Sequence, residues 1–187
     1  DLNNNNFYLN TSYKGGFGNN WQVTTGLSYG YSKNKLGLDL DKLNNDENAS
    51  HLKFKLRKSI SQHVKLAFGT DYFITRFNED FTPNSGFGGT SGYNSSIAAA
   101  FAEGDILFTK NFAAKVGVRA SYNDLLDETA VAPRVSLAYK LNKTSQFSFA
   151  YGHFTQAPSV DFIKYSKMHQ FESEKASHYI LNFQYNN

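Results

Sequence analysis

Five charged side chains in the second half of the chain could form a polar cluster. Glu103 and Asp105 precede a short turn, Lys115 and Arg119 follow it, and Arg134 lies in the next segment. Residues two apart in a strand share a face, so Lys115 and Arg119 lie on one face. Glu103 and Asp105 join that face if the apolar residues after them point the other way. Opposite charges on neighbouring strands pair across a sheet. The cluster therefore predicts an internal ion-pair network, or a contact surface for a polar ligand.

Aromatic side chains recur in two long polar segments, Asn78–Asn94 and Gln156–Glu174. Exposed loops on a rigid scaffold are where proteins most often bind ligands. Loop aromatics also pack loops against themselves, and the sequence favours neither interpretation. The candidate side chains for ligand contact are Phe81, Phe87, Tyr93, Phe162, Tyr165 and Phe171.

Catalytic and metal-binding patterns are not recognisable. The five histidines do not lie in a G-x-S-x-G context or near another familiar nucleophile motif. The paired acids Asp46/Glu47, Glu79/Asp80 and Glu172/Glu174 lack the spacing of a calcium-binding loop. The net charge of +3 is spread over the chain without a basic stripe of the kind that binds nucleic acid. The sequence thus predicts no enzyme, no cofactor, no metal site and no nucleic-acid partner.

The segment VAPRVSLAYKLNKTSQFSFAYGHFTQAP, residues 131–158, shows which elements hold such side chains. Two runs of alternating apolar and polar residues flank the polar hinge Asn142-Lys143-Thr144. A period of two predicts β-strands. One face of these strands carries Val135, Leu137, Tyr139, Phe147, Phe149 and Tyr151, and the other Arg134, Ser136, Lys140, Ser148 and Gly152.

The same unit recurs along the chain and predicts nine strands. Short turns alternate with longer connections, as in an antiparallel up-and-down meander with tight turns at one rim and loops at the other. The connections are expected at Lys33–Asn48, Asn78–Asn94, Asn123–Ala130 and Gln156–Glu174. The strands are expected at about Phe7–Lys14, Trp21–Ser32, Ser50–Ile60, Val64–Phe77, Ser95–Phe108 and Phe112–Tyr122, on either side of the Asn142-Lys143-Thr144 hinge, and at Ala176–Tyr185.

Composition leaves two β-architectures open. The mean hydropathy of −0.51 and the lack of a long apolar run exclude a transmembrane helix. A transmembrane β-barrel needs only alternate apolar residues, and its interfacial aromatic girdle would be supplied by Trp21, Tyr31, Phe112, Tyr122, Tyr139 and Tyr151. The alternative is a soluble sandwich or small barrel that folds alone and acts as a binding module. Such a module would refold in water, whereas an exposed apolar stripe would cause aggregation.

Three signatures in the last third of the chain resemble the late barrel strands of TonB-dependent outer-membrane receptors. They are Pro133 to Tyr139 in APRVSLAYKL, Tyr151 to Pro158 in SQFSFAYGHFTQAP, and Glu174 to Tyr179 in FESEKASHYILNFQY. The segment from Phe101 to Leu126 resembles the preceding hairpin of that family, in the version common in Bacteroidetes-type bacteria. The resemblance covers about Ser95–Asn187, and over the first half it depends on architecture alone.

The resemblance implies an all-β protein of the bacterial outer membrane that imports a scarce extracellular nutrient. The family's barrel has 22 strands, an N-terminal plug and a preceding box that engages TonB. With nine strands and no recognisable plug, box or signal peptide, residues 1–187 are expected to be an internal portion of such a barrel. The implied partners are the plug, the remaining strands, the TonB complex, outer-membrane lipid and a ligand whose identity the sequence leaves open.

Overall fold

One antiparallel sheet accounts for almost all of the described chain. The computed structural model describes residues 1–38, 41–84, 86–163 and 171–186. In these residues each strand pairs with the next in chain order, so the all-β meander of nine strands is confirmed. The exception is a short helix, α1, Val160–Ile163. The strands are β1 Leu2–Phe17, β2 Trp21–Leu38, β3 Asp41–Ser59, β4 Val64–Thr82, β5 Gly89–Leu107, β6 Phe112–Asn123, β7 Glu128–Lys140, β8 Ser145–Gln156 and β9 Glu174–Tyr185.

Two predicted connections are wrong, because they are mostly strand. The polar segment Lys33–Asn48 contains the end of β2 and the start of β3. The segment Asn78–Asn94 likewise contains the end of β4, which runs to Thr82, and the start of β5, which begins at Gly89. Main-chain hydrogen bonds between strands form whether the residues carry polar or apolar side chains. Apolar alternation therefore marks only the part of each strand that has an apolar face, and it underestimates strand length.

The third and fourth connections are shorter than expected too. β7 begins at Glu128, within the predicted connection Asn123–Ala130, so that only residues 124–127 join it to β6. α1 lies inside Gln156–Glu174, and Tyr165 of that segment lies outside the described residues. The tight turns predicted around Ser61-Gln62-His63 and Thr109-Lys110-Asn111 are confirmed. Within the described ranges, no helix is long and apolar enough to span a membrane.

Strand register assigns every side chain to one of two faces. Leu27, Leu52, Tyr72, Ala98 and Tyr122 are successive cross-strand partners and form one row of the apolar face, here called the outer face. The opposite face carries the charged cluster and is called the inner face. On β4, side chains alternate between exposed on the outer face and buried or half-buried on the inner face. Side chains are therefore more buried on the polar face of the sheet than on its apolar face. A soluble protein shows the reverse.

Aromatic rings line the outer face next to the short turns. Trp21 stacks on Phe17 with 6.1 Å between ring centroids and meets the edge of Phe68 at 6.0 Å. The ammonium of Lys58 lies 4.7 Å from the Trp21 ring centroid. This arrangement is typical of an interfacial girdle, in which rings and amphipathic cations occupy the boundary between apolar and polar solvent. Tyr31, predicted at a strand end, instead lies well inside β2.

Candidate functional site

A buried carboxylate ties three strands together on the inner face. Asp71 on β4 is 6% exposed, and both of its oxygens have partners. Arg119 on β6 donates from Nη1 to Oδ2 at 2.5 Å, and the Nε2 of His51 on β3 lies 3.1 Å from Oδ1. The His51 ring stacks on Phe73 with 3.9 Å between centroids. Arg119 was a candidate from sequence, but Asp71 and His51 were not. One weak sequence signal was available for Asp71: it is an acidic residue within a segment whose apolar and polar residues alternate.

A second charged cluster lies nearer the short turns on the same face. Lys115 Nζ lies 3.7 Å from Glu103 Oε2 and 3.6 Å from Asp105 Oδ1. Two cations of β3 join them, Arg57 at 2.6 Å from Asp105 and Lys55 at 3.7 Å from Glu103. The predicted ion-pair network among Glu103, Asp105 and Lys115 is therefore present, and β3 contributes two members that sequence analysis missed.

Arg134 differs from the paired cations. Its guanidinium carbon lies 4.9 Å from the centroid of the Phe154 ring. No described residue offers it a carboxylate within ion-pair distance. Phe154 folds back over Gly152, where an added Cβ would lie 2.7 Å from the ring. On the other side, the ring centroids of Phe154 and His178 are 4.9 Å apart. A planar cation stacked on an aromatic face, with its N–H groups unpaired, is suited to binding an anion.

The sheet divides beside Arg134. The pairing of β7 with β8 ends at Arg134 and Gly152. Beyond that point, the rest of β7 pairs only with β6 and the end of β8 only with β9. Pro133, the first residue of β7 past the division, has no N–H with which to continue a ladder. A cavity of about 260 Å³ opens here, and its lining includes Phe73, Ile97, Arg119, Glu128, Arg134 and Phe154.

Glu128 bridges the two separated strand ends at the rim. Its Oε2 accepts a hydrogen bond from the Ser173 backbone N–H at 2.7 Å, and its Oε1 lies 3.3 Å from Lys175 Nζ. These hydrogen bonds, first of all the one from the Ser173 backbone, hold the pKa of the Glu128 carboxyl below its ordinary value, and the charge of Lys175 acts in the same direction. The bridge fixes the start of β9 to β7 across the gap left by β8.

The aromatic candidates are not grouped in one loop. Phe81 lies on β4 and Tyr93 on β5, so their assignment to a loop is wrong for the reason given for those strands. Tyr93 stacks on Phe77 on the inner face, with 5.8 Å between centroids. Phe87 and Phe162 keep the predicted character, since Phe87 lies between β4 and β5 and is 93% exposed, and Phe162 lies in α1 between β8 and β9 and is 63% exposed. Tyr165 lies outside the described residues.

Catalytic and metal chemistry find little support in the described ranges. No three His, Asp or Glu side chains there converge as a metal site would require. His153 Nδ1 lies 3.1 Å from Ser177 Oγ on the outer face. No described carboxylate hydrogen-bonds to His153, so this pair lacks the third group that orients the base in a serine hydrolase.

Comparison with known proteins agrees with the observed fold. The family described as TonB dependent receptor-like, beta-barrel, matches residues 1–187. The alcaligin outer-membrane receptor FauA of Bordetella pertussis superposes with a TM-score of 0.79 at 13% identity, over 97% of this chain and 34% of that one. The ferric yersiniabactin uptake receptor FyuA of Yersinia pestis gives 0.71 at 13% identity, over 100% and 34%.

A third similar structure is P. aeruginosa FpvA bound to a heterologous pyoverdine and iron, with a TM-score of 0.71 at 12% identity, over 96% of this chain and 30% of that one. No sequence among the curated proteins matches the chain. The chain thus spans about a third of the length of the solved receptors that it resembles. Because the family match extends over all 187 residues, the chain belongs to the β-barrel family of TonB-dependent receptors.

Proposed function

We propose that residues 1–187 form part of the barrel wall of an outer-membrane receptor that imports a scarce extracellular nutrient with energy delivered through TonB. Family membership supports this function, as does the fold shared with receptors named for alcaligin and ferric yersiniabactin. In this proposal, further strands and a plug complete the barrel, and an N-terminal region of the parent chain engages TonB. The outer membrane is the expected location.

The architecture favours a membrane barrel over a stand-alone binding module. A soluble sandwich or closed small barrel buries its apolar face against a second layer. Here the described residues form one sheet whose apolar side chains, such as Leu27, Leu52 and Tyr72, are exposed on the outer face. Lipid is the solvent that suits this face, and the polar inner face suits a water-filled interior.

Arg134 supports the proposed location of the ligand. Among the five charged candidates, Glu103, Asp105, Lys115 and Arg119 are engaged in ion pairs, so their role in the proposal is to hold the barrel wall. Among the described residues, the N–H groups of Arg134 have no hydrogen-bond or ion-pair partner, and they lie beside an aromatic ring and a cavity. The proposed ligand carries a carboxylate, a phenolate or another anionic group that Arg134 binds. Phe87 makes the first contact at the rim, with Phe81, Tyr93 and Tyr165 as secondary candidates.

The test replaces Arg134 in the full-length parent receptor. Uptake of radiolabelled iron is measured with ferric citrate, a ferric hydroxamate and a ferric catecholate, in cells that depend on this receptor. Arg134→Gln should reduce uptake of the transported complex about tenfold, as expected for loss of a charge-assisted hydrogen bond. Lys115→Gln is the matched control, because its cation is already paired.

Two results would count against this proposal in different ways. Equal uptake by Arg134→Gln and wild type, with equal amounts of receptor in the membrane, would remove Arg134 from the site. If uptake of all three complexes is no higher than in cells without the receptor, iron complexes are excluded as the substrate class. In that case, other scarce nutrients would be tested with the same pair of variants.

A further inference from the structure

Three cavities follow one another along the inner face of the sheet. The first, of about 260 Å³, lies beside Arg134 and includes Arg119 and Asn123 of β6 in its lining. The second, of about 170 Å³, includes Gly117, and the third, of about 500 Å³, includes Lys115. Arg119 and Arg134 line both the first and the second. Because β6 begins at a tight turn, and the tight turns of outer-membrane barrels face the periplasm, the cavities descend in that order from the extracellular side.

Cations outnumber acids in the two deeper cavities. Seven lysines and arginines line them, against three carboxylates. All three carboxylates are already in ion pairs, which occupy four of the cations. The pairs are Asp71–Arg119, Glu103–Lys55, Glu103–Lys115, Asp105–Arg57 and Asp105–Lys115. Within the described part of the chain, the other three cations have no ion-pair or hydrogen-bond partner, and these are Lys53, Lys65 and Arg134.

The three unpaired cations occupy two levels of the inner face. Lys53 lies six residues before the end of β3 at Ser59, and Arg134 lies six residues before the end of β7 at Lys140. A residue adds about 2.5 Å of height in a strand tilted by about 40°, so both cations lie about 15 Å above the tight turns. Lys65, the second residue of β4, lies about 2.5 Å above them. The edge strands β1 and β9 supply none of the three.

Small residues leave room beside these cations. At Gly117, an added Cβ would lie 3.1 Å from Glu103 Cγ and 3.2 Å from the Ala102 carbonyl oxygen, so a side chain there would crowd the second cavity. The inner-facing residues of β7 and β8 that line the third cavity are Ser136, Ala138, Ser148 and Ala150.

We infer that the three cavities, with Arg134, Lys53 and Lys65, form a path along the barrel wall by which anionic groups of the ligand move toward the periplasm. This route is here called the cation path. Unpaired cations on the wall of a water-filled interior raise the local concentration of anions. Passage also requires more than one site of moderate strength, so that an anion can leave one cation for the next. The inference rests on the proposed function, which supplies the anionic ligand at Arg134.

The experiment measures how fast charged reagents reach a thiol in the third cavity of the purified parent receptor. Residues 1–187 contain no cysteine, and Ser136→Cys places one on the inner face opposite Lys115, its cross-strand partner. Two thiosulfonate reagents of similar size are compared, one carrying a sulfonate and the other a trimethylammonium group. Each rate is the excess over the receptor without the new thiol. The ratio of the two rates is divided by the same ratio for Asn111→Cys, which lies in a tight turn outside the three cavities.

The sulfonate should be favoured at Ser136→Cys by about tenfold over the turn control, because a cleft lined by one sign of charge concentrates the opposite ion. Lys53→Gln with Lys65→Gln should lower this preference on the order of fivefold. Added salt should lower it in the receptor that keeps both lysines. Lys58→Gln is the matched control, since Lys58 lies on the outer face of β3 against Trp21 and should leave the preference unchanged.

Three results would overturn the cation path. Equal preference at Ser136→Cys and at the turn control would mean that carboxylates elsewhere in the parent chain neutralise the three cations. An unchanged preference in the double variant would assign the effect to other groups. Failure of both reagents to react would mean that the third cavity is closed in the parent receptor. Because these measurements do not use the nutrient, they separate failure of the cation path from failure of the proposed function, which uptake of the iron complexes tests.

Discussion

Arg119 and Asp71 lie 48 residues apart in the chain, yet the guanidinium of one is 2.5 Å from the carboxylate of the other. Their strands, β6 and β4, are not adjacent, since β5 lies between them. The pair therefore crosses β5 on the inner face. With His51 on the other carboxylate oxygen, it links β3, β4 and β6 through a single buried acid.

Asp71→Asn should destabilise the parent receptor. The amide keeps the shape of the carboxyl group but removes the charge that Arg119 and His51 both approach. A lost charge-assisted hydrogen bond in a buried position costs about 1–3 kcal/mol. The midpoint of thermal unfolding in detergent should fall in this variant and in Arg119→Gln. The double variant should lose less than the sum of the two single losses. Purely additive losses would mean that the contact contributes nothing to stability.

The assignment of the two faces predicts opposite responses to arginine at neighbouring positions of β2. Leu27 points outward near the middle of the apolar band, and Ser28 points to the inner face opposite His51. An arginine facing lipid near the midplane costs about 2–4 kcal/mol. Leu27→Arg should therefore reduce the amount of folded receptor in the outer membrane, as measured by heat-modifiable gel mobility. Ser28→Arg should be tolerated. The reverse order would show that the faces have been assigned the wrong way round.

The part of the fold that was predictable is the part with one apolar face. Between Trp21 and Tyr31, alternation reveals both the strand and its orientation, because lipid selects the outward residues. From Lys33 onward the outward residues of β2 are Lys33, Lys35 and Gly37, and the apolar Leu36 lies on the inner face, so the contrast that marks Trp21–Tyr31 is lost although the ladder continues to Leu38. A sequence pattern that depends on contrast between faces cannot locate a strand end where that contrast is absent.

Individual contacts of the candidate site were also only partly predictable from the sequence. Lys115 and Asp105 are cross-strand partners on adjacent strands, so their pairing follows from alternation once a turn is recognised. The contact between Asp71 and Arg119 depends on two successive registers, which the sequence does not specify. Arg134 was predicted as a member of the charged cluster. It does line a cavity with Glu103 and Arg119, but its guanidinium stacks on Phe154 of β8 instead of joining an ion pair, and no local sequence pattern indicates that contact.

Gly152→Ala should perturb the proposed ligand site through Phe154. The new methyl group would lie 2.7 Å from the ring carbon Cε2, so the ring must move away from the Arg134 guanidinium. Because Phe154 is 37% exposed, the ring can shift at little cost to stability, but the shift alters its stacking on Arg134, so ligand affinity should fall. Gly104→Ala is the matched control, since its nearest neighbour would lie at an ordinary 3.6 Å. Ligand titration of the two variants should separate them. Equal affinities would mean that the position of Phe154 is irrelevant to binding.

The bridge made by Glu128 should depend on pH. The pKa of this carboxyl is lowered from its ordinary value of 4.5, chiefly by the hydrogen bond from the Ser173 backbone N–H. A lowered pKa means that the bridge is fully present above about pH 4.5 and is lost as the pH falls through the lower value of the folded protein. Hydrogen exchange of the Ser173 amide, corrected for its intrinsic pH dependence, should accelerate over that acidic range in the wild type.

Glu128→Gln should show faster exchange already at neutral pH, because a neutral amide oxygen is a weaker acceptor than a carboxylate and no longer attracts Lys175. The expected increase is about fivefold, the equivalent of about 1 kcal/mol. Glu172→Gln is the control, since Glu172 also lies near Lys175, at 3.8 Å, but is largely exposed. If Ser173 exchanges at the same rate in wild type and Glu128→Gln at neutral pH, the β9 end is held by other contacts. The division between β7 and β8 would then stay closed at the rim without Glu128.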